Sequence, residues 1–320
     1  MLLAMTRSRV SLPRVEAAAK HINPLFLHSP QFISAPLSEA LGVRVALKIE
    51  TVNPIRCFKG RGADWLVSQL ETIEPLVCAS VGNFGQAMAY ACRQRQFPLR
   101  VYASEQANAQ KIASMRALAA EVVLHGQDFD AAKHEAKRYA QAQGYRFVED
   151  GRDLATLEGA ATIGLEWLNM PESLDALFIP LGNGALFNGI ATVMKAKRPQ
   201  LRMVAVQAQQ APAMLQSWRA GRLLETPHAN TIADGIAIRV PIPEALEDLQ
   251  QHVDDALLVS EASIVEAMRL LHRHVGIVVE PAGAVGIAAL LEHGEAWRGQ
   301  TIGTVLCGSN ISEAMQAWLC

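Results

Sequence analysis

Short apolar runs recur along this chain, most of them followed by a longer helix-like stretch, and that alternation leaves few folds open. The runs lie at 44–49, 75–79, 99–103, 121–124, 176–180, 203–206 and 301–306; the clearest helical patterns lie at 86–95, 108–118, 130–143, 187–197 and 260–274. Runs this short and this apolar suit strands covered on both faces, and strands that alternate with helices build parallel sheets. The expected class is α/β, with parallel-rich twisted sheets flanked by helices. Ser11 is placed to cap a first helix that carries Pro13 in its opening turn. The strand–helix units from 71 to 150 form a compact run, read as a small domain inserted into a large one made of 1–70 and 151–320.

With 320 residues, half of them hydrophobic, the chain has material for a large core. Its 29 basic and 31 acidic residues leave a formal charge of −2 with no basic arm, so a nucleic-acid partner is not expected. The apolar stretch 276–291 is interrupted by Glu280 and Pro281, and no segment reaches the roughly 18 uninterrupted apolar residues of a membrane span. Met1 to Met5 run straight into Arg7 and Arg9, the wrong order for a secretory signal. Five cysteines, at 57, 78, 92, 307 and 320, make an odd number with no C-x-x-C pair. Free thiols in a reducing cytoplasm are expected, rather than a disulfide framework or a zinc site.

Three loops follow apolar runs, the place where parallel α/β sheets bind ligands. Ser80-Val81-Gly82-Asn83-Phe84-Gly85-Gln86 opens a helix and offers backbone amides to an anion, with Asn83 as a directed donor. Pro180-Leu181-Gly182-Asn183-Gly184-Ala185-Leu186 does the same further on, with small residues that let N–H groups wrap a phosphate. It lacks the Lys-Ser/Thr of a nucleotide loop, and Phe187 stands where a dinucleotide loop has its last glycine, so a small phosphorylated cofactor fits better. Leu306-Cys307-Gly308-Ser309-Asn310 ends the last apolar run with a thiol, a hydroxyl and an amide. Taken alone, each is also ordinary turn chemistry.

A fourth segment, Cys57-Phe58-Lys59-Gly60-Arg61-Gly62, sets one lysine between an aromatic ring and small residues. Removing an ammonium from water favours its neutral form. A neutral amine is what attacks a carbonyl to form a Schiff base. By itself, this segment reads first as an ordinary strand-to-helix turn with a surface lysine.

Taken together and in this order, Lys59 and the loops at 80–86, 182–186 and 307–310 resemble the fold-type II pyridoxal-phosphate enzymes, the tryptophan-synthase-β-like superfamily. Within it the chain is most similar to the serine/threonine dehydratases and serine racemase, over nearly its whole length from Asn23 to Asn310. The resemblance implies a two-lobed α/β enzyme with pyridoxal 5'-phosphate held covalently by Lys59 and flanked by Phe58. It implies that Ser80, Val81, Gly82, Asn83 and Phe84 meet the substrate carboxylate, and that Asn83 also bonds the cofactor's phenolic oxygen. Gly182, Asn183, Gly184, Ala185 and Leu186 would hold the phosphate. Gly235, in Thr231-Ile232-Ala233-Asp234-Gly235, would lie against the ring face. Glu280, in Glu280-Pro281-Ala282-Gly283, would stand close to the ring, and Cys307 would face the pyridine nitrogen. A helix N-terminal carboxylate is the competing reading of Glu280, and a small buried residue that of Cys307.

The chain also departs from the family's pattern. Cys57 replaces the usual Ser, Asn183 and Ala185 replace glycines, and Phe84 stands where His is common. Val81 replaces the racemase's hydroxyl-bearing acid/base, and Gln207 and Ala213 occupy positions where metal-binding relatives carry acids. Valine delivers no proton and an amide is a poor ligand for a hard cation, so racemisation and a divalent metal are disfavoured. The implied reaction is β-elimination from threonine, serine or a bulkier β-hydroxy amino acid, giving a 2-oxo acid and ammonia, with Lys59 as the base at Cα. A thiol at 307 is a weak partner for the ring nitrogen, which favours prompt loss of the β-group over reprotonation. Asn53-Pro54 resembles the cysteine-synthase side of the superfamily, which keeps β-replacement open. A cofactor-carrying regulatory protein without turnover is the non-enzyme alternative. By the same resemblance a homodimer is expected, and the length matches a catalytic core without a regulatory domain.

Overall fold

In the computed structural model, which describes residues 8–319, the chain is a succession of short strands and longer helices. The strands are β1 (Gln31–Ile33), β2 (Arg44–Ile49), β3 (Leu76–Ala79), β4 (Leu99–Ala103), β5 (Glu121–Leu124), β6 (Arg146–Val148), β7 (Ala176–Pro180), β8 (Arg202–Ala208), β9 (Asp255–Val259) and β10 (Thr301–Leu306). The helices are α1 (Leu12–His21), α2 (Ala35–Leu41), α3 (Lys59–Ser68), α4 (Asn83–Arg95), α5 (Ala109–Ala117), α6 (Phe129–Gln143), α7 (Leu154–Trp167), α8 (Ala185–Lys197), α9 (Ala213–Ala220), α10 (Pro243–His252), α11 (Glu261–Val275), α12 (Pro281–His293) and α13 (Glu313–Gln316). All seven expected strands form; β1, β6 and β9 are additional.

Two sheets result. The larger runs β1-β2-β10-β7-β8-β9 and is parallel except for the β1–β2 pair. The smaller runs β5-β4-β3-β6, is parallel throughout, and takes all its strands from 76–148. The β2, β7 and β10 strands are buried nearly from end to end, which is why they read as continuous apolar runs. One hydrophobic cluster joins α3, α4, α7 and α8 to both sheets; a second packs α2, α11 and α12 on the opposite face of the larger one.

Ser11 stands at the N-cap of α1 with Pro13 in the first turn, but its side chain makes no cap hydrogen bond. Its carbonyl accepts from the Val15 amide at 3.0 Å, and the exposed hydroxyl is left to solvent. Cys57, Cys78, Cys92 and Cys307 are buried free thiols. Cys320 and the N-terminal Met1 to Arg7 lie outside the described residues. Among the described residues no helix is long and apolar enough to cross a membrane.

Two features fix α3, the helix that starts at Lys59. Gly62 lets it approach α7 closely, since a Cβ there would lie 2.8 Å from the Thr156 carbonyl oxygen. Beneath it, the fully buried Arg61 grips two carboxylates at once. Its Nε and Nη2 donate to Glu50 at 2.8 and 2.7 Å, and Nη1 and Nη2 donate to Glu166 at 2.5 and 3.0 Å. Lys48 adds a bond to Glu166 at 2.5 Å. Burial works to raise the Glu166 carboxyl, but the hydrogen bonds and charges of Arg61 and Lys48 outweigh it and hold it down at about 2.

Candidate active site

A cavity of about 450 Å³ lies where the strands' carboxyl ends meet, lined by residues that follow β3, β6, β7 and β10. Its size suits a small molecule of cofactor dimensions. All of the residues expected at the site from the sequence line it: Phe58, Lys59, the segment 80–84, the segment 182–186, Gly235, Glu280 and Cys307.

Lys59 is the first residue of α3, and its position is set from the last strand. The Phe58 amide donates to the Cys307 carbonyl at 3.0 Å, and Cys57 and Gly308 form an antiparallel bridge. The lysine side chain is 16 % exposed, with Nζ 4.8 Å from the Phe58 ring centroid. The amine is confined as expected. Its partner was not expected: Nζ donates to Asp150 Oδ2 at 2.5 Å.

The loop after β3 is organised by Ser80. Its Oγ accepts from the amides of Gly82 and Gly85 at 3.1 and 2.9 Å, so the hydroxyl serves its own loop. The amides of Val81, Asn83 and Phe84 are left as the loop's free donors among the described residues, two of them in the first turn of α4. The loop after β7 is more open still. Gly184 takes φ +87° at the N-cap of α8, and the amides of Gly182 to Leu186 have no partner among the described residues. A Cβ on Gly184 would lie 2.7 Å from Asn188 Nδ2, so glycine is required by both conformation and space. Unpaired amides at a helix N-terminus suit an anion.

Glu280 is the N-cap residue of α12, but its side chain makes no cap hydrogen bond. Its Oε1 accepts from Asn83 Nδ2 at 2.6 Å and its Oε2 from the Asn310 amide at 3.1 Å. Asn310 Nδ2 in turn donates to Asn83 Oδ1 at 2.8 Å and to the Ile55 carbonyl at 2.9 Å. The plain helix-end reading of Glu280 therefore gives way to a network that orients Asn83. Burial pushes the Glu280 carboxyl up to about 7; the Lys111 charge opposes the rise and the Asp234 charge adds to it. Gly308 has to be small here, since a Cβ would lie 2.5 Å from Glu280 Oε1. Burial likewise pushes the Cys307 thiol up, so it stays protonated near neutral pH.

The sequence reading missed Lys111, Asp150 and Arg239, which line the same cavity. Lys111 of α5 pairs with Asp234, and Arg239 pairs with Asp130 of α6 at 2.6 Å, so two ion pairs cross from the smaller sheet's helices to the segment 234–239. Asp150 had a signal, an acid just past the end of a parallel strand, but β6 went unrecognised. Gln207 is fully buried, and its Oε1 accepts from the Leu215 amide at 3.0 Å.

A family model described as "Pyridoxal-phosphate dependent enzyme" matches residues 25–308. The chain is 31% identical over 309 residues to an L-threonine ammonia-lyase of Thermotoga maritima, covering 96% of this chain and 77% of the relative. It is 34% identical over 289 residues to an L-threonine ammonia-lyase of Geobacter sulfurreducens, covering 89% and 70%. Among solved structures it is similar to a T.th. threonine deaminase, with a TM-score of 0.88, 33% identity, and coverage of 94% of this chain and 99% of that one. It is also similar to maize serine racemase, with a TM-score of 0.89, 25% identity and 96% coverage of each.

Proposed function

This chain belongs to the pyridoxal-phosphate dependent enzymes, and from that membership we propose that it removes the β-hydroxyl of threonine or serine by elimination, releasing a 2-oxo acid and ammonia. The relatives named threonine ammonia-lyase support the reaction class. The observation that carries it is the convergence of one confined amine, Lys59, with two amide-lined loops on a single cavity.

The residues fit pyridoxal 5'-phosphate. Free amides from Gly182 to Leu186, with the α8 N-terminus behind them, match its phosphate. Asn83, held by Glu280 and Asn310, matches a ring oxygen; Gly235 leaves space at the ring face, and Cys307 is a weak partner for the ring nitrogen. When bound, the cofactor supplies an aldehyde for capturing an amine and a ring that takes up charge from Cα.

The chain's own groups do the rest. The amides of Val81, Asn83 and Phe84 bind the substrate carboxylate, helped by the first turn of α4. Lys59 Nζ accepts the Cα proton. Phe58, Val81 and Phe84 cover the reacting carbons with apolar surface, so a larger β-substituent such as threonine's methyl or an aromatic ring is accepted in preference to serine's hydrogen. The segment 71–150 acts as an inserted small domain, and the working form is a cytoplasmic homodimer.

Borohydride reduction of the purified holoprotein followed by peptide mapping tests the attachment. Label on the peptide carrying Lys59, with 2-oxo acid and ammonia formed from threonine, is the expected result. Label on another lysine, or a kinetic series in which serine outperforms threonine and phenylserine, overturns the corresponding part.

A further inference from the structure

We propose that Asp150 is a second catalytic residue, which relays the proton from Lys59 to the departing β-oxygen; this rests on the elimination proposed above. β-Elimination needs both a base at Cα and an acid at the leaving group. A hydroxide is a poor leaving group, so the acid is not optional near neutral pH.

Asp150 meets the geometric requirement. Among the described residues it is the only carboxylate within 4.0 Å of Lys59 Nζ, at 2.5 Å. Its Oδ2 takes that bond, while Oδ1 is buried with no hydrogen-bond partner. A buried carboxylate oxygen without a partner is costly, and Asp150 is among the residues that line the cavity. The next residue fixes its place. Gly151 has φ +81°, and a Cβ there would collide with the Asn183 carbonyl oxygen, so the turn carrying Asp150 is seated against the loop after β7.

The charge balance gives the same answer. Three other acids around the cavity have cationic partners: Asp130 has Arg239, Asp234 has Lys111, and Glu149 has Lys133; Asp128 and Glu280 are instead held by amide donors. Among the described residues Asp150 has Lys59 as its only cationic partner, and its charge is felt by the buried thiol of Cys78 on β3. With Lys59 engaged covalently, Nζ would no longer be a free ammonium, and its hydrogen bond to Asp150 Oδ2 would have to be given up or shared. The ion pair returns once Lys59, freed by the substrate's amine, has taken the Cα proton.

The step balances. The Cα–H bond breaks and its proton goes to Lys59 Nζ. The proton passes from Nζ to the Asp150 carboxylate, and the electron pair left at Cα forms the Cα–Cβ double bond. The Cβ–O bond breaks with its electrons on oxygen, and Asp150 gives that oxygen the proton. Water leaves, Lys59 is again a neutral amine and Asp150 a carboxylate. No outside acid is used.

The test is Asp150→Asn in the holoenzyme, assayed on threonine and on β-chloroalanine, whose chloride departs without a proton. Turnover of threonine is expected to fall about 100-fold or more, while β-chloroalanine stays within about threefold of wild type. A second readout uses the apoprotein: acetic anhydride labelling of Lys59, followed by mass spectrometry, is expected to be faster in the variant, because Nζ is released from its hydrogen bond to Asp150 Oδ2. Equal loss on both substrates, unchanged threonine turnover, or unchanged Lys59 labelling overturns the relay while leaving the elimination standing. A wild type that converts neither substrate overturns the elimination and the relay together.

Discussion

Asn83 donates from Nδ2 to Glu280 Oε1 at 2.6 Å, joining the first residue of α4 to the residue that precedes α12. Because burial raises Glu280 from 4.5 to about 7, the folded protein keeps a proton that the unfolded chain has released. Between those values the folded form binds more protons, so this contribution to stability is complete below about 4.5 and is lost as pH rises through about 7. In Glu280→Gln the decline across that window is expected to shrink, which urea midpoints for both proteins at the two ends of the window measure.

Lys111 restrains that rise, since its charge is the largest influence opposing burial at Glu280. Lys111→Met is expected to move the Glu280 midpoint further up, and Lys111→Arg to restore it. The carboxyl stretching band in infrared difference spectra across a pH titration reads the midpoint directly.

Under α3 the sign is reversed. Glu166 is held down at about 2, so its contribution is present above the ordinary carboxylate value of 4.5 and is lost as pH falls toward 2. Arg61→Met removes the shared partner of two buried carboxylates and is expected to cost about 3–5 kcal/mol. Denaturant unfolding near neutral pH gives the number, and a loss below about 1 kcal/mol contradicts the account.

Gly184→Ala combines a left-handed residue with a clash at Asn188 Nδ2. The backbone penalty is about 1–2 kcal/mol, and the displaced amides are expected to weaken pyridoxal 5'-phosphate binding by about tenfold or more. Gly221→Ala is the control. Its φ is +65° but a Cβ there meets nothing within 4 Å, so it is expected to lose stability and keep affinity.

The parts of this fold legible in the sequence were those with their own periodicity. β2, β7 and β10 announce themselves because nearly every side chain is buried. β1 and β6 are three residues each, too short for a pattern. α7 and α12 are buried on nearly all sides and show no polar face to mark a helical period. α3 is masked by Gly60 and Gly62, poor helix formers kept because Phe26 and Thr156 press against them. At the site, Lys59 and the loops were legible because each is a local motif. Lys111 and Arg239 were not, because their partners lie 123 and 109 positions away and nothing nearby in the chain marks them; Asp150, 91 positions from Lys59, follows a strand too short to be seen.

The insertion of β10 between β2 and β7 governs the order of events during synthesis. Until residues 301–306 have emerged from the ribosome, the two strands flanking that slot have no shared neighbour, and the Phe58 amide lacks the Cys307 carbonyl that seats it. A nascent chain therefore holds the Lys59 segment unseated until β10 is in place, and cofactor capture there is expected to wait for that strand.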